Sequence, residues 1–450
     1  MEDPVKLLSR LGSVARFAAT FALVSLFAAG AAYSGAGCED RTGGDEPDAA
    51  PSTARDGGGP ASDSGPEPPT DAAGSDGAVD ADAASSALCP SGSTLLRTRT
   101  SCSGAALVPP AAFTSALATA GAGDVVSMAG MDEQTAPCLP VVVCSPADAP
   151  TMLFSDSPES PSQDGVLYAD TVPAGRYRLY VYHANGGATV RKFPIVALNS
   201  GAAPAKITIV RRGLATPSTQ YVAVGKSVLV DWFTDRAPVD VAVPAGTRVL
   251  LDDALDQLHA AQNELVHAIY DVVTDAPLKL SVVSVVATAD AATTTAGLSL
   301  LPRDVTHQRG TFAGADVLIA AAKGSALDGG PAQQPGVQRL RLALDEVEDT
   351  LQGVDATTGV KQTLLGNYGM LYRFALGLPS PATAAISARG GGWGGVMRGA
   401  GAAAALPSAT EQLATTTDAV VVGPAGGAGE IRLVSGGGSN LPIDFFLVTP

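Results

Sequence analysis

Few side chains in this chain of 450 residues are equipped for chemistry: four histidines, two tryptophans, and 28 basic against 44 acidic residues. His267 stands four positions before Asp271 in an apolar, β-branched run, so both project from one face of a strand, and an imidazole oriented by a carboxylate is the start of a general-base pair. His307 opens the segment His307-Gln308-Arg309-Gly310-Thr311-Phe312, where a guanidinium, a Gly-Thr turn and an aromatic ring suit the grip of a carboxylate or sugar, with Arg309 bridging two strands or capping carbonyls at the sandwich edge and Phe312 entering the core as the alternative. Trp393 lies among the glycines of 390–395 and reads as an aromatic displayed at a flexible tip, with folding back onto the core as its alternative. His307, Arg309, Phe312 and Trp393 are therefore the binding candidates. His267, Asp271 and His307 are candidates for acid-base work, and no catalytic residue is assigned. His183 shares a strand face with Tyr177, Leu179 and Val181 and reads as a buried or rim histidine.

Signatures of catalysis are missing. There is no Gly-x-Ser-x-Gly elbow, no His-Glu-x-x-His and no Walker A loop. Gly390, Gly392 and Gly395 match the dinucleotide spacing, but no βαβ series surrounds them, so they read as a glycine-rich loop. No cofactor or metal is expected, since Cys138 and Cys144 have five residues between them and no histidine nearby.

Residues 88–450 read as mostly strand. Residues 176–183 alternate apolar and polar positions and run into Asn185-Gly186, a hairpin turn dipeptide. Further strands are expected at 190–198, 206–211, 227–233, 239–243, 247–251, 265–273 and 278–287, and a second series at 317–322, 338–344, 370–376, 383–389, 419–422, 430–434 and 443–448. Helices are expected only at 251–264 and 408–416. This pattern predicts an all-β fold of two tandem antiparallel, Ig-like β-sandwich domains, 150–292 and 293–450, preceded by a cysteine-containing subdomain or extension at 88–149. The tetrapeptides Gly165-Val166-Leu167-Tyr168 and Gly369-Met370-Leu371-Tyr372 hint at duplication.

The first 87 residues have a different logic. Lys6, Arg10 and Arg16 precede an uncharged stretch from Phe17 to Gly37 that ends at Cys38, so 1–37 reads as an export signal peptide with Cys38 as the site of lipidation. Cleavage after Ala29-Gly30-Ala31 to release a secreted product, or retention as an uncleaved anchor, are the alternatives. Residues 38–87 carry twelve carboxylates against two arginines, most of the net charge of −16, with Val79 as the only large aliphatic residue of 39–87. Such a segment cannot bury enough apolar surface to order itself and reads as a disordered acidic linker. The spacing of Asp76, Asp80 and Asp82 lacks the turn glycine and closing glutamate of a calcium loop.

Beyond Cys38 the cysteines are Cys89, Cys102, Cys138 and Cys144, an even set that fits two disulfides in an oxidising compartment, with three pairings open. No dense basic patch offers itself to phosphates, so nucleic acid is disfavoured as a partner. The expected partners are the membrane, through the lipid, and an envelope glycan or protein. The setting is extracytoplasmic, periplasmic or at the cell surface.

The motifs Gly165-Val166-Leu167-Tyr168, 180–185 (Tyr-Val-Tyr-His-Ala-Asn), Ile269-Tyr270-Asp271, Thr274-Asp275, 307–312 and Gly366-Asn367-Tyr368-Gly369 together resemble an uncharacterised β-rich module of Gram-positive surface proteins. That module often stands beside copper amine oxidase N-terminal-like or S-layer-type segments. The resemblance spans about 148–450 and implies an extracellular setting, with no reaction and no site residues to carry over. Together these features imply an exported, lipid-anchored surface binding or structural module. The alternative is an envelope-glycan hydrolase or its accessory domain.

Overall fold

The computed structural model describes residues 89–449 except 100, 101, 103, 105, 323–334, 345, 378–381 and 425–428. The expected signal peptide, Cys38 and the acidic linker lie outside the described residues. In chain order the strands are β1 (Thr94–Arg99), β2 (Val125–Ser127), β3 (Val141–Ser145), β4 (Thr151–Ser155), β5 (Gly165–Val172), β6 (Gly175–Ala184), β7 (Arg191–Lys192), β8 (Ile195–Leu198) and β9 (Ala205–Leu214). Next come β10 (Val239–Val243), β11 (Arg248–Leu250), β12 (Leu265–Thr274), β13 (Leu278–Val286), β14 (Arg309–Phe312), β15 (Asp316–Ala321), β16 (Gly336–Leu342), β17 (Gln352–Asp355) and β18 (Val360–Thr363). The series closes with β19 (Leu371–Ala375), β20 (Thr383–Ala388), β21 (Gly395–Arg398), β22 (Ala404–Leu406), β23 (Asp418–Pro424), β24 (Ile431–Ser435) and β25 (Ile443–Thr449). Helices α1 (Ala111–Leu117) and α2 (Tyr221–Trp232) are the two longest among the described residues.

These strands form four sheets stacked as two sandwiches. An eight-stranded sheet, β10-β9-β12-β6-β4-β14-β17-β18, packs on a five-stranded sheet in which β11-β8-β13-β5 run in order and β7 pairs with β13. Their shared core includes Leu179, Val181, Ile207, Val266, Ala268, Tyr270 and Leu280. A seven-stranded sheet, β1-β3-β15-β19-β24-β21-β22, packs on β16-β25-β20-β23-β2 around Val143, Ile319, Phe374, Ile386 and Phe445. A further core, with Phe154, Tyr180, Ile269, Trp232, Leu371, Val396 and Val434, joins the outer faces of the eight- and seven-stranded sheets through α2. Both faces of those two sheets are thus covered in their middles, which is why their strands read as near-continuous apolar runs.

All-β architecture is present, and the strand pairing crosses the expected boundaries. β14, β17 and β18, all beyond residue 292, complete the eight-stranded sheet. The segment expected as a subdomain or an extension of the first sandwich instead adds β1 and β3 to the seven-stranded sheet, beside β15, and β2 to the sheet of β23. Disulfides Cys89–Cys144 and Cys102–Cys138 select one of the three pairings and tie the first described residues to β3 and its approach. Such bridges belong to an oxidising, extracytoplasmic compartment. Among the described residues no helix is long and apolar enough to cross a membrane.

Local expectations fail where context outweighs composition. Residues 227–233, expected as a strand for their valines and leucine, lie largely in α2. There Val224, Val228, Leu229 and Trp232 recur at helical spacing and face the joining core. The 251–264 helix shrinks to one turn at Asp253–Asp256, and 408–416 forms none, because Leu413 exchanges backbone hydrogen bonds with Trp393. Asn185-Gly186 makes no hairpin: the Asn185 amide donates to Thr189 O and Ala260 O, and β6 pairs with β12 and β4. The duplication hint finds no match either, with 165–168 on the edge strand β5 and 369–372 leading into β19 inside its sheet.

Gly213 in β9 is where α2 touches its sheet, since an added Cβ would collide with the Val228 carbonyl oxygen and sit 2.7 Å from Trp232 Cβ. Gly213→Ala is expected to destabilise the fold by about 2 kcal/mol in urea unfolding, as overpacking does. Gly297→Ala, with nothing within 4 Å of the added methyl, is the control expected to stay within about 0.5 kcal/mol. Equal effects of the two would contradict this packing.

Candidate functional site

The outer face of the eight-stranded sheet is ordered by register. One transverse row sets Phe312, Met152, Arg178, Asp271 and Arg211 side by side across β14, β4, β6, β12 and β9. Facing it, the seven-stranded sheet aligns Arg373, Arg432 and Arg398 across β19, β24 and β21. Like charges directly opposite on neighbouring strands repel, so each of these arginines needs an acid. Glu430 accepts from Arg373 Nε at 3.0 Å and from Arg432 Nε at 2.7 Å, while Asp235 accepts from Arg398 Nη1 at 2.9 Å.

Arg178 is the centre of this arrangement and only 1% exposed. Its Nε donates to Asp271 Oδ1 at 2.8 Å and its Nη2 to Asp271 Oδ2 at 3.3 Å. Its Nη1 reaches the carbonyls of Ala315 and Gly369, both at 3.0 Å, on the far side of the interface. Asp316 Oδ1 lies 2.8 Å from the same Nη1, at ion-pair distance but out of hydrogen-bond alignment. Burial works to lower the pKa of the guanidinium; the two aspartates outweigh it and hold it above the ordinary value. Burial raises the Asp316 carboxyl, with Arg178 opposing.

Arg211 is less well matched. A β-bulge places Ile209 opposite Val272 and Arg211 opposite Asp271, leaving Val210 outside the ladder. Arg211 stacks over the Trp232 ring at 5.0 Å, beside Arg178 at 4.8 Å, and its one ion pair among the described residues is a 3.7 Å approach to Asp271 Oδ2. Burial lowers its pKa, with Asp271 and Asp316 opposing and Arg178 and Arg432 adding repulsion. Arg176 is exposed at the rim and takes part in no ion pair among the described residues. Between the sheets these groups enclose a cleft of about 100 Å³, lined by five arginines and three aspartates. A hollow of this composition is suited to a small anion, a carboxylate or phosphate taken in a guanidinium fork.

A second polar cluster lies at the other end of β4. His307 Nε2 is 2.5 Å from Glu159 Oε2 and its Nδ1 is 3.0 Å from Asp304 Oδ2, with the ring about one-third exposed. Burial raises Glu159, with His307 opposing. Asp304 is lowered, because backbone N–H groups of His307 and Glu159 donate to it and outweigh its own burial. Asp156 beside them is raised well above the ordinary value by burial and by Glu159 and Asp304, and one of its oxygens is buried without a hydrogen-bond partner among the described residues.

The sequence-derived candidates are dispersed by the fold. His307 remains at an accessible polar cluster, and Asp271 lines the arginine cleft. Arg309 is 1% exposed; its Nε donates to Asp355 at 3.0 Å and its Nη1 to the carbonyls of Leu167 at 2.7 Å and Leu301 at 2.9 Å, so it bridges strands instead of facing a ligand. Phe312 is fully buried in the joining core. Trp393 is displayed nowhere: it is buried in the core of the second sandwich, and its Nε1 donates to Ser435 Oγ at 3.1 Å. His267 and Asp271 do share a face, but about 13 Å of strand separates them. Asp271 belongs to Arg178, while His267 Nδ1 is 2.8 Å from Val181 O in fully buried surroundings. His183 is likewise buried, between Ser155 Oγ and Pro158 O. Among the described residues no group of three or more His, Cys, Asp or Glu is placed to hold a metal. The cleft arginines were missed because cross-strand register is invisible in one sequence; Arg176 and Arg178 at alternate positions in β6 are the one local signal.

No protein-family model matches the chain, and neither does any curated protein. Among solved structures, the cupin 2 conserved barrel domain protein from Leptotrichia buccalis is 9% identical, with 63% of this chain and 88% of that chain covered and a TM-score of 0.11. Vicilin from Solanum lycopersicum is 11% identical over 66% and 84%, TM-score 0.12, and salicylate 1,2-dioxygenase from Pseudaminobacter salicylatoxidans 10% over 61% and 70%, TM-score 0.10. Likeness at this level transfers neither fold nor function.

Three buried groups give stability a dependence on pH. Burial depresses His267 to about 4 and His183 to about 3, so the stability they confer is present above about 6.5 and lost as pH falls toward those values. Glu348, pushed up to about 7 by burial, has the opposite sign: its contribution is present below about 4.5 and lost as pH rises through 7. Between pH 5 and 6.5, Glu348→Gln is therefore expected to increase proton uptake on unfolding by about one, steepening the rise of stability with pH by about 1.4 kcal/mol per unit. His267→Gln is expected to reduce it by about one. Unchanged slopes in urea titrations at stepped pH would contradict both assignments.

Proposed function

We propose that this chain is an extracytoplasmic binding module of the cell envelope that recognises an anionic group, a carboxylate or phosphate, of an envelope polymer in the cleft between its eight- and seven-stranded sheets. The observation carrying this reading is the imbalance at Arg176 and Arg211: of the cleft aspartates, Asp271 and Asp316 are engaged by Arg178 and Asp148 by Arg373, leaving Arg211 with a 3.7 Å approach to Asp271 and Arg176 with no ion pair among the described residues. In a chain of net charge −16 a basic hollow selects anions against a repelling background. Cys38 serves in this proposal as the lipid anchor and 38–87 as the spacer lifting the sandwiches from the membrane. Recognition between sheets replaces the loop-end recognition that tandem Ig-like domains would use.

A hydrolytic reading has one observation in its favour, the opposed displacement of Glu159 and Asp304, since a carboxyl held up and another held down are the signature of an acid and a base. Both are engaged by His307, which leaves neither aimed at a substrate. Binding is the better-supported function.

Calorimetric titration of the full chain with inorganic phosphate and with acetate at low ionic strength tests it. At least one anion is expected to bind saturably and to weaken with added salt, and Arg176→Gln combined with Arg211→Gln to weaken it tenfold or more. Equal affinity in the double variant would remove the cleft from the account.

A further inference from the structure

The anion cleft, at about 100 Å³, is well below the roughly 300 Å³ at which pockets begin to enclose an organic ligand, so it holds one charged group and little else. The rest of any ligand must lie elsewhere. A groove of about 330 Å³ adjoins it, and the two share Val210 and Arg211 as a common wall. The apolar part of the groove is Ile209, Val239, Val241, Leu250 and Leu251, at the open margin of the first sandwich where β10 faces β11.

The shared wall is the bulge. β10 pairs with β9 only from Ala205 to Ile209, so no strand covers the outer edge of β9 from Val210 onward among the described residues. At that point Ile209 turns to the core of the first sandwich and Arg211 to the arginine cleft, and the uncovered edge between them is where the two hollows meet. Val239, opposite Ile209 on the terminal strand, is 57% exposed, an apolar side chain presented to whatever occupies the groove.

The geometry points to an amphiphilic ligand: an anionic headgroup held by Arg211 and Arg176, carrying a short alkyl or acyl chain that passes Val210 and lies along Val239, Val241 and Leu250. This rests on the anion reading of the cleft and deepens it to a ligand class. Carboxylate and phosphate heads share the chemistry, so the test contains both.

The full chain is titrated calorimetrically with inorganic phosphate, octyl phosphate, acetate, octanoate and the uncharged octyl glucoside. Two buried methylenes suffice for about tenfold in affinity, so octyl phosphate is expected to bind at least tenfold tighter than phosphate, or octanoate than acetate, and the better pair identifies the head. Val239→Asp, on an exposed edge where folding is insensitive, is expected to abolish that gain and leave the short anion within twofold. Equal affinity of short and long anions would overturn the amphiphile assignment while the anion cleft stands. So would a gain that persists in Val239→Asp or appears equally with octyl glucoside. Absence of binding by every anion would defeat the cleft reading and this one together.

Discussion

The arrangement of this molecule depends on one buried guanidinium. Arg178 is held by Asp271 in its own sheet and reaches Asp316, Ala315 O and Gly369 O in the segments entering the opposing one. Removing one partner from a buried ion pair costs roughly 3–5 kcal/mol, because the others stay behind uncompensated. Each of the two sandwiches has its own core, but their juxtaposition rests on a thinner layer centred on Phe154, Tyr180, Ile269 and Leu371. Within that layer Arg178 sets the spacing at one end, and the spacing makes the cleft. Its commitment to the aspartates also explains why Arg211 and Arg176 are left for something else.

Much of the sheet content was legible in the sequence, because β-branched and aromatic runs bounded by Gly, Pro and Asn state strands directly. Residues 239–243 and 443–448 are examples. Pairing was not legible. β1 and β3 join a sheet otherwise built from residues beyond 315, and nothing local in 94–145 encodes that partner. The 227–233 part of α2 reads as a strand because Val228, Leu229, Val230 and Phe233 satisfy β composition; only the helical spacing of the residues facing the joining core distinguishes it.

The site was less legible than the fold, for a related reason. Arg309, Phe312 and Trp393 look like recognition residues by type, yet a guanidinium that collects three backbone carbonyls and a carboxylate is an internal brace, and an indole with a serine partner can be fully interred. Residues at a cleft between sheets come from strands far apart in sequence, here 176–178, 211, 271, 316, 373 and 432. The bulge at Val210 joins this cleft to the groove under β10, so a single irregularity in one strand positions both a charge and an apolar surface.

Trp232 gives the most direct view of the central claim, since its ring lies beneath the guanidiniums of both Arg178 and Arg211. With Trp393→Phe removing the only other indole, the emission of Trp232 is followed as inorganic phosphate, and in a second series acetate, is added at constant ionic strength. A saturable change that disappears when Arg211→Gln is introduced is the result this account expects. Emission that stays flat with both anions, or that changes identically without Arg211, would contradict anion recognition between the sheets.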